Sequence, residues 1–226
     1  MPENSAFFPQ VMQRYTNYDP LSGVDPGFIA ALLRAFEEKP FCAEDFSPFP
    51  IDMIIEYIQR THVFYLQKKL PEIEQSILLL SGLYTSHHPI LIALQDFFQE
   101  YCRDLTEHIM SEERLLLPYI SQLCRSTLSL GAYSEYLMAR TKYSVAGFMA
   151  AHEDTEDELK DIRQTIRLYE PPTSNASLYR IFLAQLEAFE RDLCVHAHIE
   201  DQVLIPRALQ LEEALNDRLD RVAGFN

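Results

Sequence analysis

With 226 residues, 47% of them hydrophobic, and a formal net charge of −15, the chain suits one domain with a sizeable core, or one domain with a small appendage. That acidity excludes nucleic acid as a main partner, because phosphate binding needs clustered Lys and Arg. No apolar run approaches the ~18 residues of a membrane span, so a membrane role is not expected. MPENSAFFPQ lacks the basic start and apolar centre of a signal peptide, and the four cysteines (Cys42, Cys102, Cys124, Cys194) form no CxxC pair. A reducing, cytoplasmic location is therefore the expectation, without structural zinc held by thiolates.

Seven of the 13 prolines lie in the first 50 residues, so that segment is not one long helix. Asp25-Pro26 followed by GFIAALLRAFEE reads as an N-cap, an N1 proline and one short amphipathic helix ending near Lys39-Pro40. Residues 1–50 are accordingly read as an appendage packed on a main body, 51–226. From Ile51 the apolar residues recur at spacings of three and four, the mark of a helix with one buried face. The first such stretch ends near SGLYTSHHP; the second runs from about 90 to 123. A third follows Gly131, and EPPTSNAS separates it from a fourth that runs to about 215. Nothing alternates with period two over a useful length. The expectation is an all-α protein, an antiparallel up-down-up-down four-helix bundle with a short N-terminal helical appendage.

A near-repeat carries the chemistry. DLTEHIMSEERLLLP (104–118) aligns without gaps onto DLCVHAHIEDQVLIP (192–206), matching Asp104, His108, Glu112 and Pro118 with Asp192, His196, Glu200 and Pro206. Both copies hold HxxxE, which places His and Glu on one helix face a turn apart. Two more histidines complete the set. In an antiparallel hairpin, residues at one height are equidistant from the turn. The midpoint of His62 and His108 is 85, that of His108 and His152 is 130, and that of His152 and His196 is 174, each on an expected break. Four histidines at one level, with Glu112 and Glu200 as bridges, suit two first-row ions: iron, manganese or zinc. Each ion then has four protein ligands. An oxo or hydroxo bridge makes five and leaves a position open on each ion for a small exogenous ligand. The ferritin-like ExxH and the zincin HExxH are both absent.

Other side chains near these ligands have blander readings. Tyr65 shares the face of His62 and is expected to pack in the core with its hydroxyl satisfied. Cys102 and Cys194 read as small buried hydrophobes. Glu113 and Asp201 are solvated charges or acceptors that orient a histidine. His198 is expected to face a neighbouring helix or solvent, and His87 and His88 to lie in a turn. Pro118 and Pro206 are expected to kink or end their helices.

With HxxxEE..LLP, HxHxE..VLIP and the isolated His62 and His152, the chain over about 51–215 resembles the haemerythrin-like HHE cation-binding family. Within it, the similarity is greatest to the Ric (repair of iron centres) branch. The resemblance implies a di-iron centre held by His62, His108, His152 and His196, with Glu112 and Glu200 as bridges. It further implies restoration of damaged iron–sulfur clusters in client proteins, or oxidoreductase chemistry with nitric oxide, dioxygen or peroxide. The alternative it carries is a dioxygen-binding or redox-sensing module without turnover. Ric proteins usually bear a vicinal Cys-Cys pair in an N-terminal domain; residues 1–50 here hold only Cys42. Oxygen carriers use a fifth histidine, for which His87, His88 and His198 are the candidates.

Overall fold

The computed structural model describes residues 5–15, 24–37, 40–83, 89–151 and 176–223. All regular structure among them is helical, with no strand. Near the start lie α1 (Phe8–Met12), α2 (Pro26–Glu37) and a 3-10 turn, Ala43–Phe46. Asp25 caps α2 as its sequence suggests: its carboxylate accepts from the Gly27 and Phe28 amides at 2.7 and 3.2 Å. Helix α1 has no counterpart in the sequence expectations, which place one helix in this region.

Among the described residues three long helical runs follow, each interrupted once. Helix α3 (Ile51–Phe64) passes through a π-turn, Tyr65–Lys69, into α4 (Leu70–Leu83). Helix α5 (Pro89–Ser111) passes through Glu112–Leu116 into α6 (Leu117–Leu128). After α7 (Leu130–Ala139) and α8 (Val145–Ala151), α9 (Ala176–Ile199) passes through Glu200–Leu204 into α10 (Ile205–Ala223). Each π-turn is followed, one residue later, by a proline: Pro71, Pro118 and Pro206. A proline inside a helix lacks an N–H and its ring crowds the carbonyl four residues back. Here the preceding residue reaches five back instead: the Leu70, Leu117 and Ile205 amides donate to the carbonyls of Tyr65, Glu112 and Glu200. The widened turn makes room for the ring. Pro118 and Pro206 thus do not end their helices; the chain stays helical to Leu128 and Ala223.

Helix α4 packs on α5, α3 on α6, α9 on α4 and α10 on α6. The run 51–83 is therefore antiparallel to 89–128, while 176–223 runs in the same sense as 89–128. The third periodic stretch is not continuous. Ser129, extended at φ −144° and ψ 146°, accepts from the Ala132 amide and starts α7 at Leu130, so Gly131 sits inside the first turn. Residues 140–144 then break the helix, and the Ser144 hydroxyl accepts from the Gly147 amide at 3.0 Å to start α8.

The apolar interior falls into two clusters. One gathers α1, α2, the first two turns of α3, and residues 116–123 and 195–208, including Phe28, Tyr57, Ile58, Ile120 and Val203. The other gathers Phe64, Tyr65, Ile77, Phe98, Leu105, Ile109, Phe182 and Phe189. Along each long run the boundary between them lies at or beside a buried polar residue: His62, Glu112 and His196.

Candidate metal centre

Helical phase alone turns these polar side chains inward, because each lies three or four residues from a buried apolar neighbour on its own helix: Ile58, Ile109 and Ile199. His62, Glu112 and His196 are all buried, at 1%, 0% and 6% exposure. One donor atom from each lies within 4.8 Å of the other two. The Glu112 carboxylate faces two histidines from different helices: Oε2 is 3.0 Å from His62 Nε2, and Oε1 is 2.9 Å from His108 Nε2. His62 Nε2 lies 3.3 Å from His196 Nε2, and His196 Nε2 lies 3.7 Å from Glu200 Oε2. Five of the six expected ligands thus share one layer. His152, like His87 and His88, lies outside the described residues.

The donor set fits an ion. Two ligands on one first-row metal at ~2.1 Å, separated by right or tetrahedral angles, stand about 3.0–3.4 Å apart. The His62–Glu112 and His62–His196 separations of 3.0 and 3.3 Å fall in that range. Burying carboxylates beside imidazoles is costly unless a cation balances them. His196 Nδ1 is buried with no hydrogen-bond partner among the described residues.

The surroundings tune the ligands. Glu113 accepts from His62 Nδ1 at 2.7 Å, and its other oxygen accepts from Gln59 Nε2 at 3.0 Å. This fixes the His62 tautomer and turns Nε2 toward Glu112, as an outer carboxylate does for a metal-bound histidine. Burial disfavours charge on His62, but Glu112 and Glu113 outweigh it and hold its pKa above the ordinary imidazole value. Burial and the neighbouring His62 push His196 the other way, down to about 3, leaving a neutral imidazole with a lone pair to offer.

Tyr65 packs its ring edge-on against His196, with centroids 5.6 Å apart, and its hydroxyl donates to Asp192 Oδ1 at 2.8 Å. It is a core residue with a satisfied hydroxyl, as its position suggests. His198 packs at a tilt against Phe41 and stands 3.8 Å from Cys194 Sγ, outside the ligand layer. Cys194 is exposed, contrary to its reading as a buried hydrophobe, because it lies two residues from inward-facing His196 and so on the opposite side of the helix. Cys102 is half-buried, and burial pushes its thiol up to about 12. Sequence reasoning missed Arg14 and Gln10, which reach Asp192 from the N-terminal segment. No local periodicity signals a contact across 178 residues.

Described residues whose regular structure is all helical, with buried His and Glu side chains gathered in one layer, define a cation-binding helical protein. Residues 72–208 match the hemerythrin HHE cation binding domain, and the chain belongs to that family. Among curated relatives, it is 23% identical over 151 residues to the iron-sulfur cluster repair protein ScdA of Staphylococcus haemolyticus, covering 67% of this chain and 64% of that protein. It is 27% identical over 190 residues to the iron-sulfur cluster repair protein YtfE of Pectobacterium carotovorum, covering 81% of this chain and 77% of the relative. The YtfE of Yersinia pseudotuberculosis is 23% identical over 189 residues, with 84% and 80% covered. No helix among the described residues is long and apolar enough to cross a membrane.

Proposed function

We propose that this chain is a haemerythrin-like four-helix bundle over 51–226, with residues 1–50 packed on it, that holds two iron ions and acts in restoring damaged iron–sulfur clusters. The ligands are His62, His108, His152 and His196, with Glu112 and Glu200 as bridges. The observation that carries this reading is the Glu112 carboxylate, which faces His108 with one oxygen and His62 with the other at 2.9 and 3.0 Å. A carboxylate placed between histidines of two helices is what a pair of ions requires. The names of the relatives add the cluster-repair role.

A bound iron pair supplies redox chemistry and an acceptor for NO, O2 or peroxide. The chain does the rest. Glu113 holds the His62 tautomer, the two apolar clusters keep bulk water from the layer, and buried Glu112 offsets the ionic charge. The alternative, a dioxygen-binding or redox-sensing module without turnover, draws on the contact between residues 10–14 and the helix bearing His196.

Elemental analysis of protein isolated from cells, read with its absorption spectrum, tests the metal reading. It should return about two irons per chain, as many as the six-ligand set serves, with a charge-transfer band in the near-ultraviolet and visible. Glu112→Ala with Glu200→Ala should abolish that band. A colourless, iron-free wild-type protein would sink the proposal. Reactivation of a nitric-oxide-damaged iron–sulfur enzyme by the loaded protein then separates repair from sensing.

A further inference from the structure

Arg14 is a fully buried cation that follows α1. Its Nε donates to Thr61 Oγ1 at 2.9 Å, one Nη donates to the Gln10 carbonyl at 3.0 Å, and the other pairs with Asp192. Gln10 Nε2 donates to the second Asp192 oxygen at 2.7 Å, and Tyr65 shares the first. The guanidinium sits among three rings: Phe64 at 4.8 Å, Tyr57 at 5.6 Å and Phe36 at 5.8 Å from the centroids. Thr61 directly precedes His62, and Asp192 lies one helical turn before His196. One side chain therefore ties the turn of α3 that presents His62 to the turn of α9 that presents His196. Asp104, the repeat partner of Asp192, meets Arg103 at the half-exposed surface, at 3.2 Å. The N-terminal segment thus engages the second copy of the near-repeat, at Asp192.

We propose that Arg14 is a positioning residue of the metal centre: it sets the approach of His62 to His196, so residues 5–15 belong to the centre although they lie outside the matched HHE domain. This rests on the metal-binding reading above. The planar fork of arginine matters here, because a lysine ammonium cannot serve Thr61 and Asp192 from one rigid geometry. Groups that orient metal ligands typically change metal affinity about 10–100-fold when removed.

Two variants test it in the full chain. Arg14→Lys keeps the charge opposite Asp192. Arg14→Met with Asp192→Asn removes both charges and strands neither. Both should keep the wild-type far-ultraviolet circular dichroism yet release iron to a ferrous chelator at least about 10-fold faster. In the metal-free protein, backbone amides around 58–66 and 189–200 should lose hydrogen-exchange protection by a similar factor. Iron release at the wild-type rate from both variants would overturn the role of Arg14 and leave the metal reading standing. A double variant that folds and holds iron as wild type while Arg14→Lys does not would also overturn it, since charge burial alone would then explain the residue. Wild-type protein without iron would overturn the metal reading itself.

Discussion

Glu113 shows how much a single outer carboxylate can be asked to do. It is half-buried, accepts from His62 Nδ1 and is braced by Gln59. The pair joins buried His62 to a carboxylate that is 27% exposed, so in Glu113→Ala water can take the place of the lost acceptor and the unfolding free energy should fall by about 1 kcal/mol. It should nonetheless weaken iron binding about 10–100-fold, because His62 would be free to rotate and to change tautomer. Competitive chelation beside urea denaturation separates the two effects; equal losses in both would refute the orienting role. The inward phase of His62, Glu112 and His196 was legible in the sequence because helical period fixes it from nearby apolar residues. Whether Glu113 met solvent or a histidine was not, since that depends on a side chain 51 positions away. Arg14 was still less legible, as no local pattern marks a buried cation whose partner is Asp192.

At the scale of elements, capping and period were readable, while the interruptions were not. Asp25-Pro26 announced α2, and its cap holds two amides. Asp25→Ala should cost about 1 kcal/mol, seen as a lower urea midpoint with unchanged slope. The loss should reach the site as well, because α2 carries Phe36, one of the rings around Arg14. Unchanged stability would mean that this cap contributes nothing. Prolines 71, 118 and 206 were visible, but a proline in a helical pattern is equally compatible with a stop, a kink or a widened turn. The tertiary contacts on both sides decide for the widened turn, since Ile120 and Val203 beyond the ligands are as buried as Leu105 and Leu193 before them. Two of these turns begin at Glu112 and Glu200 themselves, consistent with the frequent placement of π-turns at functional sites. The break at 140–144 has no signal of its own in the sequence, because a short polar stretch, RTKYS, fits a solvated helix face as well as a turn.

For the molecule as a whole, the consequence is an interior divided by a polar layer. Apolar packing on either side can drive folding, yet Glu112 and Glu200 remain buried at 0% and 4% exposure, close to histidines that are only partly able to balance them. A cation that binds the folded layer and not the unfolded chain must therefore stabilise the fold by mass action. At free ion about 100-fold above the dissociation constant, the gain is about 2.7 kcal/mol. For a protein of 226 residues this corresponds to a rise in Tm of about 5–10 °C. Calorimetry of metal-free protein titrated anaerobically with ferrous iron should show that rise and its dependence on concentration. Glu112→Ala with Glu200→Ala should remove the increment while the metal-free protein still unfolds cooperatively, because both apolar clusters are intact and two buried charges are gone. A wild-type Tm indifferent to ferrous iron, or a double variant that gains as much as wild type, would mean that the layer is not where an ion and the fold are coupled.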